Sequence, residues 1–152
     1  MSFYRSLSLK TVIRFMNFWP PYFGAGVKIK LLDESEMIIK VSMPLKKLNK
    51  NYVGTHFGGS LYSMVDPFYM LILMQKLGRD YIVWDKEAHI YFKKPGKDCV
   101  HCTFKISAKE VESIRSQVAE HGKYEPLFIA TIYGEKGEVV AEVEKKLWVK
   151  KK

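Results

Sequence analysis

The stretch Asn51–Leu77, NYVGTHFGGSLYSMVDPFYMLILMQKL, decides how the rest of the chain is read. It opens with Gly54, Gly58 and Gly59, turns apolar at Leu61, Met64, Val65, Phe68 and Ile72, and stops at Gly78. That spacing is helical, and Tyr62, Tyr69, Met70, Leu71, Leu73 and Met74 make the other face apolar too. A helix apolar all round is expected to be buried on all sides. Between Asn51 and Gln75 the only formal charge is Asp66. A carboxylate in the most apolar element costs free energy unless it is hydrogen-bonded or used, so function is sought there and in the glycines before it.

Strand patterns flank this helix. Val27, Ile29 and Leu31 alternate with lysines, a turn follows at Asp33-Glu34-Ser35, and Met37, Ile39, Val41 and Met43 alternate again up to Pro44. After Gly78 the pattern resumes through Trp84, Ala88, Ile90 and Phe92 to the turn Lys94-Pro95-Gly96, followed by a strand over Cys99–Ala108. Val111, Ile114 and Val118 mark a short helix closed by Gly122, and Leu127–Tyr133 with Val139–Val149 form a hairpin. One buried helix among about six antiparallel strands predicts an α+β architecture, a sheet wrapped around a helix.

Ahead of these elements, Leu9, Val12, Ile13 and Met16 predict an amphipathic helix ended by Trp19-Pro20-Pro21. Its charges are Arg5, Lys10 and Arg14, and no acid precedes Asp33. A presequence or a membrane-surface helix fits that pattern, but a helix capping the domain fits better, because a secretory h-region and cleavage site are missing. The expected organisation is a capping helix at 1–22 and a single domain at 23–152.

With 152 residues, 47% apolar and 27% charged, the chain is expected to be one globular, cytoplasmic domain with no membrane span. Its net charge of +9 suits an anionic partner. The lysines fall in three groups (46, 47 and 50; 93, 94 and 97; 145, 146 and 150–152), which favours local contacts over a nucleic-acid stripe. Cys99 and Cys102 straddle His101 in a strand that sends them to opposite faces, so they read as strand residues in a reducing compartment, with no metal site.

In this order, Asn51 with His56-Phe57-Gly58-Gly59, Asp66 seven residues after Gly59, and Ile90-Tyr91-Phe92-Lys93-Lys94-Pro95-Gly96 resemble the hotdog-fold acyl-CoA thioesterases. The nearest branch is the phenylacetate-degradation type with its uncharacterised thioesterase-like neighbours, and the likeness covers residues 24 to 150. The resemblance implies a homodimer or homotetramer with its active site at the subunit interface, no cofactor, and an acyl-CoA or acyl-carrier substrate. It also implies that Asp66 is the catalytic carboxylate, Gly59 N–H the oxyanion donor and Asn51 the holder of water or the thioester carbonyl. Gly58, His56, Phe57, Lys93 and Lys94 become substrate-binding candidates, the lysines toward the phosphates of coenzyme A. The family's usual His-Gly-Gly is altered, since Phe57 stands where the histidine belongs and His56 is one residue earlier.

Physical chemistry supports the same roles. A helix amino end offers unpaired N–H groups to a developing oxyanion, and glycine allows close approach. Burial two turns further along would make Asp66 a better base. Alternatives stay open. Asp66-Pro67 is also an ordinary helix start, capping a helix over Phe68–Leu77. A silent domain binding an acyl ligand, or a dehydratase using His56 as base, would share this fold. The methionines are core first and acyl-pocket lining second.

Overall fold

In the computed structural model, residues 7–152 are described; Arg5 and the rest of 1–6 in the expected capping helix lie outside them. The chain begins with α1 (Leu9–Met16), whose Ser8 side chain caps the Thr11 N–H and whose Leu9 and Ile13 are buried. The two prolines behind it do more than end a helix. They sit in the first turn of α2 (Pro20–Ala25), where a missing N–H costs nothing, and Gly26 closes α2 at φ 73°.

The strands β1 (Lys28–Asp33), β2 (Ile38–Met43), β3 (Tyr81–Phe92), β4 (Val100–Phe104), β5 (Lys123–Tyr124), β6 (Leu127–Tyr133) and β7 (Val139–Lys151) form one seven-stranded sheet. Its order is β1-β2-β4-β6-β7-β3, with β5 paired to β7, and every pairing is antiparallel. The strand expected to run on to Ala108 ends at Phe104. Ser107 then caps α5 (Ala108–His121) in a reciprocal box with Glu110, and Gly122 at φ 74° terminates it. Cys102 points into the core, where burial pushes its thiol up to about 12, while Cys99 precedes β4; both are free.

The central apolar stretch forms α3 (Gly58–Ser63) and α4 (Phe68–Leu77), joined by a tight turn through Met64–Pro67. The expected single helix is interrupted because Pro67 has no N–H to give the preceding turn. The sheet wraps this pair, which is the hotdog arrangement. Phe68, Ile72 and Leu73 are fully buried in one core with Val41, Phe104, Ile132 and Val143. Phe68 lies 5.0 Å from Phe104, Tyr69 stacks on Phe128 at 4.7 Å, and the Tyr69 hydroxyl donates to Ile129 O at 2.7 Å. Met70, Leu71 and Met74 are only half-buried, so within one chain the helix is not enclosed on every side. Among the described residues no helix is long and apolar enough to cross a membrane.

One irregularity sets up the site. The β3–β7 register shifts between Asp85 and Glu87, where Lys86 is extra. Up to the bulge Val83 and Asp85 turn inward; beyond it Ala88 and Ile90 do. Trp84, which the sequence pattern grouped with Ala88 and Ile90, therefore stands on the outer side and is 58% exposed.

Candidate functional site

Two places gather the residues singled out in the sequence. The first is a groove of about 360 Å³ lined by Asn51, Thr55, His56, Gly58, Leu61 and the Phe92–Gly96 segment. Asn51 shapes its rim. Its Nδ2 donates to Thr55 Oγ1 (2.9 Å) and His56 O (3.2 Å), and its Oδ1 accepts from the Val53 and Thr55 N–H groups (3.1 and 3.0 Å). Both amide protons are committed to the loop, which leaves none for a thioester carbonyl.

His56 is a pin. It is 3% exposed, its Nε2 lies 2.8 Å from Asp98 O, and its backbone N–H donates to Gly96 O. As partner of a carbonyl, Nε2 carries the proton, and Nδ1 is buried with no partner among the described residues. Burial holds its pKa below the usual imidazole value. With both nitrogens buried, His56 is poorly placed as a dehydratase base.

The glycines admit close approach, but within this chain aromatic rings use the space. A Cβ on Gly58 would come 2.9 Å from the Phe92 ring, and one on Gly59 would come 2.5 Å from the Phe57 ring. Phe57 and Phe92 are each 58% exposed. The Gly58 and Gly59 N–H groups head α3 and make no backbone hydrogen bond among those of the described residues. Lys93 is engaged by Glu142 at 2.9 Å and leans on the Tyr91 ring, whereas Lys94 is exposed at the groove.

The second place holds Asp66, and its main feature escaped the sequence reading. Lys145, grouped there with the lysines near the end of the chain, is 1% exposed. Along β7 the residues Ala141, Val143, Lys145, Leu147 and Val149 all face the core, so strict alternation places a lysine where an apolar residue is expected. That period-2 signal could have identified it.

Lys145 Nζ donates to Asp66 Oδ1 at 2.9 Å and to the Tyr62 hydroxyl at 3.3 Å. The Tyr62 hydroxyl in turn donates to Asp66 Oδ1 at 2.7 Å. Nζ also forms an ion pair with Asp85 Oδ1 at 2.9 Å, and that buried oxygen has no other partner among the described residues. Burial opposes the charge on Lys145, but the two carboxylates outweigh it and raise its pKa. Burial also raises Asp85, with Lys145 acting against it, and raises Tyr62, assisted by its bond to Asp66.

Asp66 does not cap α4, because no side-chain cap bond forms there. The helix start at Phe68 is as the alternative reading placed it; the carboxylate is employed elsewhere. The Asp66 side chain is 44% exposed, and its Oδ2 accepts no hydrogen bond among the described residues. Within one chain its environment is thus set by a neighbouring ammonium and hydroxyl instead of by full burial. Among the described residues no cluster of His, Cys, Asp and Glu is arranged to hold a metal.

Known proteins share this fold. A Pseudomonas aeruginosa protein of unknown function, described as a probable thioesterase, superposes with a TM-score of 0.78 at 20% identity, over 94% of this chain and 96% of its own. A protein of unknown function from Chlorobaculum tepidum gives 0.73 at 17% identity, covering 97% and 99%. A thioesterase from Haemophilus influenzae gives 0.67 at 13%, covering 95% and 92%. At these identities the likeness establishes the fold alone, the hotdog fold. No curated protein matches the sequence. The domain of unknown function DUF4442 matches residues 9–149, and the chain belongs to that family.

Proposed function

We propose that this protein is an acyl-CoA thioesterase that hydrolyses its substrate to a free acid and CoA at a site shared between two subunits. The observation that carries this reading is the Asp66 carboxylate, anchored through one oxygen with the other unengaged, in a fold shared with proteins described as thioesterases. Asp66 of one subunit faces the Gly58–Gly59 helix start of the other. Its free oxygen takes a proton from water, and the hydroxide attacks the thioester carbon. Gly59 N–H stabilises the oxyanion, the C–S bond breaks, and the leaving thiolate takes up the proton that Asp66 had drawn from water, which restores the carboxylate. Asn51 contributes by holding the groove's rim, and Lys94 with its neighbours meets CoA phosphates.

A dimer is supported by β3. It is the sheet's terminal strand, twelve residues long, and carries the exposed Trp84, Tyr91 and Phe92. A long edge strand with exposed aromatics is a surface that a second copy can pair with and cover.

A second reading is favoured by the rings of Phe57 and Phe92 over the two glycines. On that reading the domain binds an acyl ligand without turning it over. Thiol release from a panel of short, long and aromatic acyl-CoAs, for wild type and Asp66→Ala side by side, separates the two. Hydrolysis by wild type that drops roughly 10²–10⁴-fold in a folded, oligomeric Asp66→Ala supports the enzyme. Binding of acyl-CoA without release by either protein supports the silent binder.

A further inference from the structure

Lys145 has no part in the steps above, yet it is the one fully buried Lys, Arg, Asp or Glu among the described residues. It lies in mid-β7, opposite Ala88 of β3 and Phe128 of β6, so its stem is locked between two paired strands. Its ammonium reaches the turn between α3 and α4 from beneath.

We propose that Lys145 is a positioning residue for the Asp66 carboxylate, gripping Oδ1 together with Tyr62 so that Oδ2 alone is presented to the reacting water. The inference rests on the thioesterase reading of Asp66. Two donors converge on Oδ1, from Nζ at 2.9 Å and the Tyr62 hydroxyl at 2.7 Å. They come from different elements, β7 and α3, so the carboxylate cannot rotate without losing both. Asp85, also 2.9 Å from Nζ, ties the ammonium to β3 as well. Only Lys145 is sealed from solvent, at 1% exposure against 44% for Asp66 and 27% for Asp85. The arrangement therefore has a dry fixed end and a wet reactive end.

The groups that face Asp66 are Tyr62 on α3, Lys145 on β7, Asp85 on β3 across the ammonium, and Tyr22 on α2, whose hydroxyl is raised first by burial and then by the Asp66 charge. With both aspartates ionised the cluster is net negative, and Lys145 supplies its cation. A lysine serving the fold alone could give way to an apolar residue of similar length with no change in turnover per folded molecule. A positioning lysine could not.

The test uses the full chain and the acyl-CoA that wild type turns over fastest. Lys145→Met, Lys145→Arg and Tyr62→Phe are compared with wild type by thiol release over a range of substrate concentrations, giving kcat and KM, after circular dichroism and size exclusion have confirmed fold and assembly. Lys145→Met is expected to lower kcat roughly 10²-fold, the cost of a carboxylate displaced by about 1 Å. Tyr62→Phe should lower it about tenfold, the worth of one lost anchor. KM should stay within about twofold in both. The loss should be confined to kcat and largely recovered in Lys145→Arg, which keeps a cation at Oδ1.

Folded Lys145→Met and Tyr62→Phe proteins with wild-type kcat, or a loss in Lys145→Met that Lys145→Arg does not recover, overturn the positioning role while leaving the thioesterase standing. If Lys145→Met fails to fold, Tyr62→Phe and Lys145→Arg decide by the same two readouts. A wild type silent across the whole panel overturns the thioesterase reading and this role together.

Discussion

The groove under Asn51 and the cluster around Lys145 treat polar atoms in opposite ways. In the groove the Asn51 amide is fully spent on its own loop, and His56 uses its one bonded nitrogen to tie that loop to the turn at Asp98. In the cluster three ionisable side chains and a phenol share too few donors, and an Asp66 oxygen is left over. Around Asn51, among the described residues, no side-chain polar atom is both reachable and unspent, since the orphaned His56 Nδ1 is buried, and such a network builds shape. One with a reachable oxygen left over stores the capacity to bind or react, so chemistry is sought in the cluster and contour in the groove.

The sharpest way to break this comparison is Lys145→Met. Removing the cation strands two carboxylates against the core, and unfolding stability should fall by about 3 kcal/mol, read by urea denaturation at pH 7. A variant as stable as wild type would mean that the cluster is wet in solution. Restoring the balance with Asp85→Asn in the Lys145→Met background should recover part of the loss, because one stranded charge goes with it.

Asn51→Ala should cost less, about 2 kcal/mol, since several loop hydrogen bonds vanish but most lie near water. Proteolysis should then begin within 51–57 ahead of other segments, and a protection pattern like wild type would show that the loop does not need its amide. The His56 effect is smaller and has a definite sign. Its folded pKa is lowered by burial, so the unfolded chain takes up a proton first. Stability should be full above the ordinary histidine pKa of about 6.5 and decline as pH falls below it. In His56→Gln the Tm difference between pH 7 and pH 5 should shrink. Smallest of all, Lys93→Ala should leave Tm unchanged, because its pair with Glu142 is exposed.

Legibility in the sequence followed the same division. The apolar run from Leu61 to Leu77 and the glycines before it pointed to the sheet-wrapped helix, because periodicity reports burial directly. Asp66 drew attention as a lone charge. Its partner did not, because Lys145 lies in a run with Lys146 and the terminal lysines, where composition reads as solvated surface and only strand parity argues otherwise. His56 bonding to Asp98 spans 42 positions, a contact that no local pattern carries. Asn51 was matched to a role by position, whereas its hydrogen-bond capacity is exhausted within five residues.

The extra residue at Lys86 works on β3 like an insertion in a reading frame. Upstream, the inward frame delivers Asp85 to Lys145; downstream, the shifted frame sends Ala88 and Ile90 inward and lays Phe92 over Gly58. Were Lys86 instead drawn into the ladder without a bulge, one frame would run along the strand, and no choice of frame would satisfy both halves. Keeping Asp85 inward would turn Glu87, His89 and Tyr91 to the core, while keeping Ile90 inward would bury Trp84 in place of Asp85. The charged cluster and the aromatic floor of the groove are thus transcribed from one strand through a one-residue offset, and neither can be re-registered without rewriting the other.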